Sequence, residues 1–214
     1  MPTTLTLIRH GETEWNKNSR WQGQLDIPLS ELGLEQARRL AARLKEQRAR
    51  FDAIYSSDLG RALKTAETIS AVTGPAPLTL KELREIDVGT WSGLYTHELE
   101  TRFPEDYRRM KAGEDIKRGG AESMADVVVR VRKFLGTVVE RHSQQHVAIV
   151  THNGVIRAAL MLMKNLTVEQ GRELGLMKNC SITRAEFHAG RWDVKCMNDA
   201  EHLNGIVSEG TQSL

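Results

Sequence analysis

The sequence predicts an α/β fold: a three-layer sandwich in which a mainly parallel sheet carries helices on both faces. Two observations carry this. Short β-prone or fully apolar runs at 5–8, 51–56 and 147–150 read as strands buried on both sides. Each is followed by a segment whose apolar residues recur at helical spacing, and alternation of this kind builds parallel sheets.

Leu5-Thr6-Leu7-Ile8 halts at Arg9-His10-Gly11, a strand ending in a turn. Pro28-Leu29-Ser30 opens a helix with Leu32, Ala37, Leu40, Ala41 and Leu44 inward and Arg38, Arg39, Arg43 and Lys45 outward. After the strand at 51–56, Asp58 is placed to cap a helix carrying Ala62, Ala66, Ile69 and Val72, which Gly74-Pro75 ends. From 90 to 121 the periodicity weakens around Pro104, Gly113 and Gly119-Gly120, and a helical insertion over the site is expected there. Ser123-x-x-Asp126 is a capping-box pattern opening a helix with Val127, Val131, Phe134, Leu135 and Val138 inward. Asn153 is placed to start the helix of Ile156, Ala159, Leu160 and Met163. A hairpin is expected from 181–187 and 192–197, and the tail after Glu201 reads as loosely ordered.

At 214 residues, with 40% hydrophobic and 27% charged residues, the chain suits one domain spanning 1–214 with a single adequate core, neither disordered nor a membrane protein. No apolar stretch approaches the roughly 20 residues of a membrane span, and no leader pattern precedes Leu5, so a cytoplasmic protein is expected. A net charge of +2 gives no footprint for nucleic acid. The two cysteines, Cys180 and Cys196, form no Cys-x-x-Cys pair.

Chemistry enters through a near repetition. Leu5-Thr6-Leu7-Ile8-Arg9-His10 and Val147-Ala148-Ile149-Val150-Thr151-His152 are strands that each end in a histidine. Ligands of open α/β sheets sit at the carboxyl ends of strands, so two such histidines face one cavity if the strands are neighbours. Phosphoryl transfer needs a nucleophile, cations around the equatorial oxygens and a proton donor for the leaving oxygen. Arg9 adjoins His10, Arg61 opens a helix where anions are favoured, and Glu85 is a loop carboxylate amid glycine and aromatic signals. His142-x-x-x-His146 has a metal-ligand spacing, but a helix end and a strand start cannot carry both on one helical face. His97, His188 and His202 have no motif partners.

The ordered set Leu7-Ile8-Arg9-His10-Gly11-Glu12-Thr13-x-Trp15-Asn16, Gln22-Gly23, Leu29-Ser30-x-x-Gly33-x-x-Gln36-Ala37, Tyr55-Ser56-Ser57-Asp58-Leu59-x-Arg61-Ala62, Glu85-Ile86-x-x-Gly89-x-Trp91-x-Gly93, Gly119-Gly120-x-Glu122-Ser123 and Val150-Thr151-His152-x-Gly154 resembles the histidine phosphatase superfamily in its phosphoglycerate-mutase-like branch. The resemblance implies a phosphoglycerate-mutase-like fold and hydrolysis of small phosphomonoesters through a phosphohistidine on His10. It implies that Arg9, Arg61 and His152 form the phosphate pocket, that Glu85 donates and accepts the proton, and that Asn16, Gln22, Gly23 and Asn153 bind the substrate. Asn153 stands where many members have glycine, and a tuned helix cap is expected of it. Arginines and amide dipoles supply the charge stabilisation, so neither metal nor other cofactor is required. A homodimer is a family-level expectation only.

A phosphoglycerate mutase is the alternative enzyme. The short connection from Gly74 to Glu85 favours hydrolysis over it, since cofactor-dependent mutases resemble longer chains with an insertion there. A non-catalytic phosphate-binding scaffold is the alternative of another class, against which the complete residue set speaks.

Overall fold

The computed structural model describes residues 1–206, built around a six-stranded sheet of order β3-β2-β4-β1-β5-β6. Four strands run parallel: β1 (Thr3–Arg9), β2 (Ala53–Ser57), β3 (Leu78–Leu80) and β4 (His146–Thr151). β5 (Ile182–His188) lies antiparallel to β1, and β6 (Arg191–Asp199) closes a hairpin with it. The helices are α1 (Glu14–Lys17), α2 (Glu31–Glu46), α3 (Gly60–Thr73), α4 (Thr96–Arg102), α5 (Pro104–Ala112), α6 (Met124–Arg141) and α7 (Asn153–Lys164).

The period-two geometry of strands divides the core. Leu5, Leu7, Ala53, Tyr55, Val147 and Ile149 point to one face, packed with the apolar stripes of α6 and α7. Ile8, Ile54, Ala148 and Val150 point to the other, where α2 supplies Ala37, Leu40 and Leu44 and α3 supplies Ala62, Ala66 and Ile69. The three-layer sandwich with a mainly parallel sheet is therefore present.

Local signals account for most boundaries. Ser30 accepts from the Gly33 amide at 3.0 Å and caps α2, while Ser123 and Asp126 form the reciprocal capping box of α6. In the stretch 90–121, α5 starts with Pro104 in its first turn and stops at Gly113 in a left-handed conformation. α1 and β3 are too short for a periodic signal.

Three expectations are corrected. Asp58 does not cap α3: its carboxylate is held by Arg84 at 2.6 and 2.7 Å, Leu59 occupies the cap position, and Asp26 accepts from the Gly60 amide at 2.7 Å. On α2, Leu32 is only half-buried, whereas Gln36 is buried because its Oε1 accepts from the Glu12 amide at 2.9 Å. Of the tail after Glu201, residues 207–214 lie outside the described residues, but Glu201–Leu203 form a 3₁₀ turn that buries Leu203 against the α2 side of the sheet.

The register that matters most is between β1 and β4, where Ile8 pairs with Val150 and Arg9 with Thr151. Both strands end at the same level, and the first residue beyond each is a histidine.

Candidate active site

His10 is held by its backbone before its ring is considered. Its amide donates to the Thr151 carbonyl at 2.9 Å, and its carbonyl accepts from Asn179 Nδ2 at 2.9 Å and from the Cys180 amide at 3.3 Å. Ring Nδ1 lies 2.6 Å from the Gly11 carbonyl. A carbonyl only accepts, so Nδ1 carries the proton and Nε2 of the neutral ring keeps its lone pair. Burial first, then the charges of Arg61 and Arg9, push the imidazole well below its usual pKa. The turn itself demands glycine at position 11, where a Cβ would lie 2.5 Å from the Gly33 carbonyl oxygen.

His152 stands edge-on to His10, with ring centroids 4.9 Å apart. It is fully buried, and neither ring nitrogen has a partner among the described residues. Burial and then Arg61 push its pKa well down as well, so it too is a neutral imidazole. Buried polar atoms are seldom left unpaired, and the single N–H of this neutral ring suits an anionic ligand oxygen as its partner.

Arg9 and Arg61 bring the positive charge. Arg9 is the last residue of β1 and donates through Nη1 to the Met177 carbonyl. Arg61, in the first turn of α3, donates through Nη1 to the Leu25 carbonyl at 2.7 Å and through Nη2 to Gly23 at 2.9 Å. Burial lowers both guanidiniums to about 10, which leaves them cationic at neutral pH. Gly23 adopts a left-handed backbone, and a Cβ there would approach Val88 Cγ2 to 2.7 Å. Arg61 thus fixes the loop that carries Gln22 and Gly23.

Glu85 reaches the same place from the loop after β3. Its Oε1 accepts from its neighbour's amide, Ile86, at 2.9 Å and from Gly154, in the first turn of α7, at 3.0 Å. Arg9, His10, Asn16, Gln22, Gly23, Arg61, Glu85 and Asn153 all line one pocket, with Trp15, Trp21 and Leu176 among its walls. Asn16 uses Oδ1 on the Thr13 amide at 3.2 Å and on Asn179 Nδ2 at 3.4 Å, which turns its NH₂ group to other partners. Gln22 Oε1 is buried without a partner among the described residues. Asn153 departs from the helix-cap expectation: His152 holds the cap position of α7, and Asn153 Oδ1 accepts instead from the Met177 amide at 3.0 Å, tying the helix to the loop beneath Arg9.

Sequence reasoning missed Arg20, Asn179 and Leu176. Arg20 lines the pocket with its guanidinium 4.1 Å from the Trp15 ring centre and 5.3 Å from that of Tyr95. Asn179 tethers the His10 carbonyl to Asn16. Both arrive on loops, and no spacing rule connects 179 with 10. His142 and His146, with their metal-like spacing, go separate ways: His142 Nε2 bonds the Tyr55 hydroxyl at 2.9 Å and His146 Nε2 the Thr6 hydroxyl at 2.8 Å. His97 and His188 are exposed, whereas His202 is half-buried beside Arg43. No described helix is long and apolar enough to cross a membrane.

Known proteins share this arrangement of chain. The family model of the histidine phosphatase superfamily (branch 1) matches residues 5–200. Phosphoserine phosphatase 1 of Hydrogenobacter thermophilus is 41% identical over 98% of this chain and 99% of its own length. A probable phosphoglycerate mutase of Proteus mirabilis is 33% identical over 96% of this chain and 97% of its own. Among solved structures, a phosphoserine phosphatase mutant from Entamoeba histolytica in complex with phosphoserine superposes with a TM-score of 0.83 at 30% identity, covering 94% of this chain and 99% of that one.

Proposed function

Because the chain belongs to the histidine phosphatase superfamily and is a phosphatase of small phosphomonoesters, we propose that His10 is its phosphorylated nucleophile and Glu85 its proton donor and acceptor. The observation that carries this assignment is the pairing of Nδ1 with the Gly11 carbonyl, which leaves the Nε2 lone pair of a neutral ring free to attack.

The lone pair of His10 Nε2 attacks phosphorus while the ester P–O bond breaks, and the leaving oxygen takes the proton of Glu85. The ring becomes cationic as the N–P bond forms, and the Nδ1–H bond to Gly11 disperses that charge. Arg9, Arg61 and neutral His152 bear on the phosphoryl oxygens, as a metal ion would in other phosphotransferases. Asn16, Gln22, Gly23 and Asn153 complete the substrate contacts. Water then attacks phosphorus, gives its proton to Glu85 as the N–P bond breaks, and releases inorganic phosphate.

Brief exposure to a ³²P-labelled phosphomonoester, followed by quenching at alkaline pH, tests the assignment. Label that is alkali-stable and acid-labile on wild type and missing from His10→Ala is the expected result. Equal labelling of both, or none on a wild type that releases phosphate, would refute it. Turnover should persist in excess chelator. The likeness to proteins named as probable mutases keeps a second reading in view, and a product mixture dominated by isomerised phosphoglycerate over free phosphate would select it. The connection of 75–84, which holds only β3 and a 3₁₀ turn, favours hydrolysis.

A further inference from the structure

A second cleft, about 650 Å³ against about 80 Å³ for the pocket at His10, opens between the end of α5, the 3₁₀ turn Arg118–Gly120, α7 and the turn Gln170–Leu174. Leu176 lines both cavities. Three guanidiniums face the second one: Arg118, Arg157 and Arg172.

Arg157 is only 9% exposed, and its Nε is buried with no partner among the described residues, although Nη2 donates to the Gly171 carbonyl at 3.1 Å. Arg118 makes no ion pair among the described residues. Burial and the charge of Arg157 lower its pKa, against smaller opposing effects of Glu85 and Asp115. The acidic residues of the cleft are otherwise engaged or lie on its rim. Glu114 is taken by Arg109 at 2.7 Å, and Asp115 accepts the amides of Met124 and Ala125 at 2.8 and 2.9 Å. Glu169 and Glu173 are exposed, as is Arg172. Arg157 is buried and Arg118 half-buried beside it, and like charges drawn together partly out of water are costly unless an anion shares them.

We propose that this cleft is a second anion site, in which a carboxylate or phosphate group binds between Arg118 and Arg157. The anion is either the second acidic group of a phosphomonoester held at His10 or a separate small anion. The binding site stands by itself, while any effect on turnover rests on the catalytic reading above.

Malonate titrated calorimetrically into wild type, Arg118→Gln, Arg172→Gln and Arg61→Gln tests the site. Loss of a charge-assisted partner predicts binding weakened about tenfold or more in Arg118→Gln and less in Arg172→Gln, with Arg61→Gln close to wild type. Malonate binding unaltered by Arg118→Gln, or abolished only by Arg61→Gln, would overturn the proposal. If thermal melts show Arg118→Gln unfolded, Arg172→Gln decides in its place, and unaltered binding there overturns the proposal too. Kinetics then separate the two sources. A fall in the ratio of kcat/KM for phosphoserine to that for p-nitrophenyl phosphate in Arg118→Gln assigns the anion to the substrate. An unchanged ratio with weakened malonate binding assigns it to a separate ion. A wild type inert toward both esters would defeat the catalytic reading and leave the calorimetric answer standing.

Discussion

Two neutral imidazoles sit 4.9 Å apart beside two cationic guanidiniums, an arrangement that no proton can enter cheaply. Its pH dependence follows in sign. His10 and His152 are depressed in the folded chain, so between their folded values and the ordinary value near 6.5 the unfolded chain binds more protons, and stability rises with pH. The gain is complete above about pH 6.5 and is lost as pH falls toward the depressed values. Thermal melts from pH 7.5 to 5 should show this decline, and His10→Gln should make it shallower; an unchanged slope would contradict the burial account. For the same reason the labelled intermediate should still form at pH 5, where a free imidazole is mostly protonated. On the proton-transfer role proposed for Glu85, replacement by glutamine predicts a kcat for a poor leaving group that falls about 10²–10⁴-fold. The histidines were legible because each follows an apolar strand. Arg20 and Asn179 were not, because long loops alone bring them in.

Elements hold these groups through close contacts that side chains would spoil. A Cβ on Gly154 would lie 2.5 Å from Glu85 Oε1, the atom its own amide holds. Gly154→Ala should therefore leave the melting temperature within a few degrees of wild type while cutting kcat/KM at least tenfold, since alanine suits a helix and only the carboxylate must move. Gly33→Ala differs, because its Cβ would overlap the backbone oxygen of Glu12, which cannot swing aside. Overpacking of that kind should cost about 1–3 kcal/mol in denaturant midpoints. Ser123→Ala, removing the cap of α6, should cost about 1 kcal/mol. Sequence located α2, α3, α6 and α7 by their apolar spacing, yet it misplaced the cap of α3 because a distant arginine, Arg84, outcompetes the local amides for Asp58. Gln36 was equally hidden: its burial depends on the Glu12 backbone, which no local pattern records.

At the scale of the molecule, both faces of one sheet are filled; Arg9, His10, His152 and Arg61 hang from it or from a helix packed on it, while Glu85, Gln22 and Gly23 come in on loops. Strand alternation revealed that a parallel sheet would form but not its order, because neighbours such as β1 and β4 are chosen by packing across more than a hundred residues. A sheet shared by the described residues 1–206 predicts that they unfold as one cooperative unit. Far-ultraviolet circular dichroism and tryptophan fluorescence should give coincident denaturation curves, and separated midpoints would argue for independent parts.

The pairing of Arg9 with Thr151 has a consequence for how such a chain can change over generations. A slip of one residue between β1 and β4 would turn Leu5 and Leu7 to the wrong side and carry His10 one step, about 3.3 Å, past His152. Length changes inside either strand are therefore forbidden to any lineage that keeps the chemistry, whereas loops that only wall the two cavities are free to lengthen or shorten. New substrate preferences should accordingly arise by insertion and deletion around a catalytic centre whose spacing stays frozen.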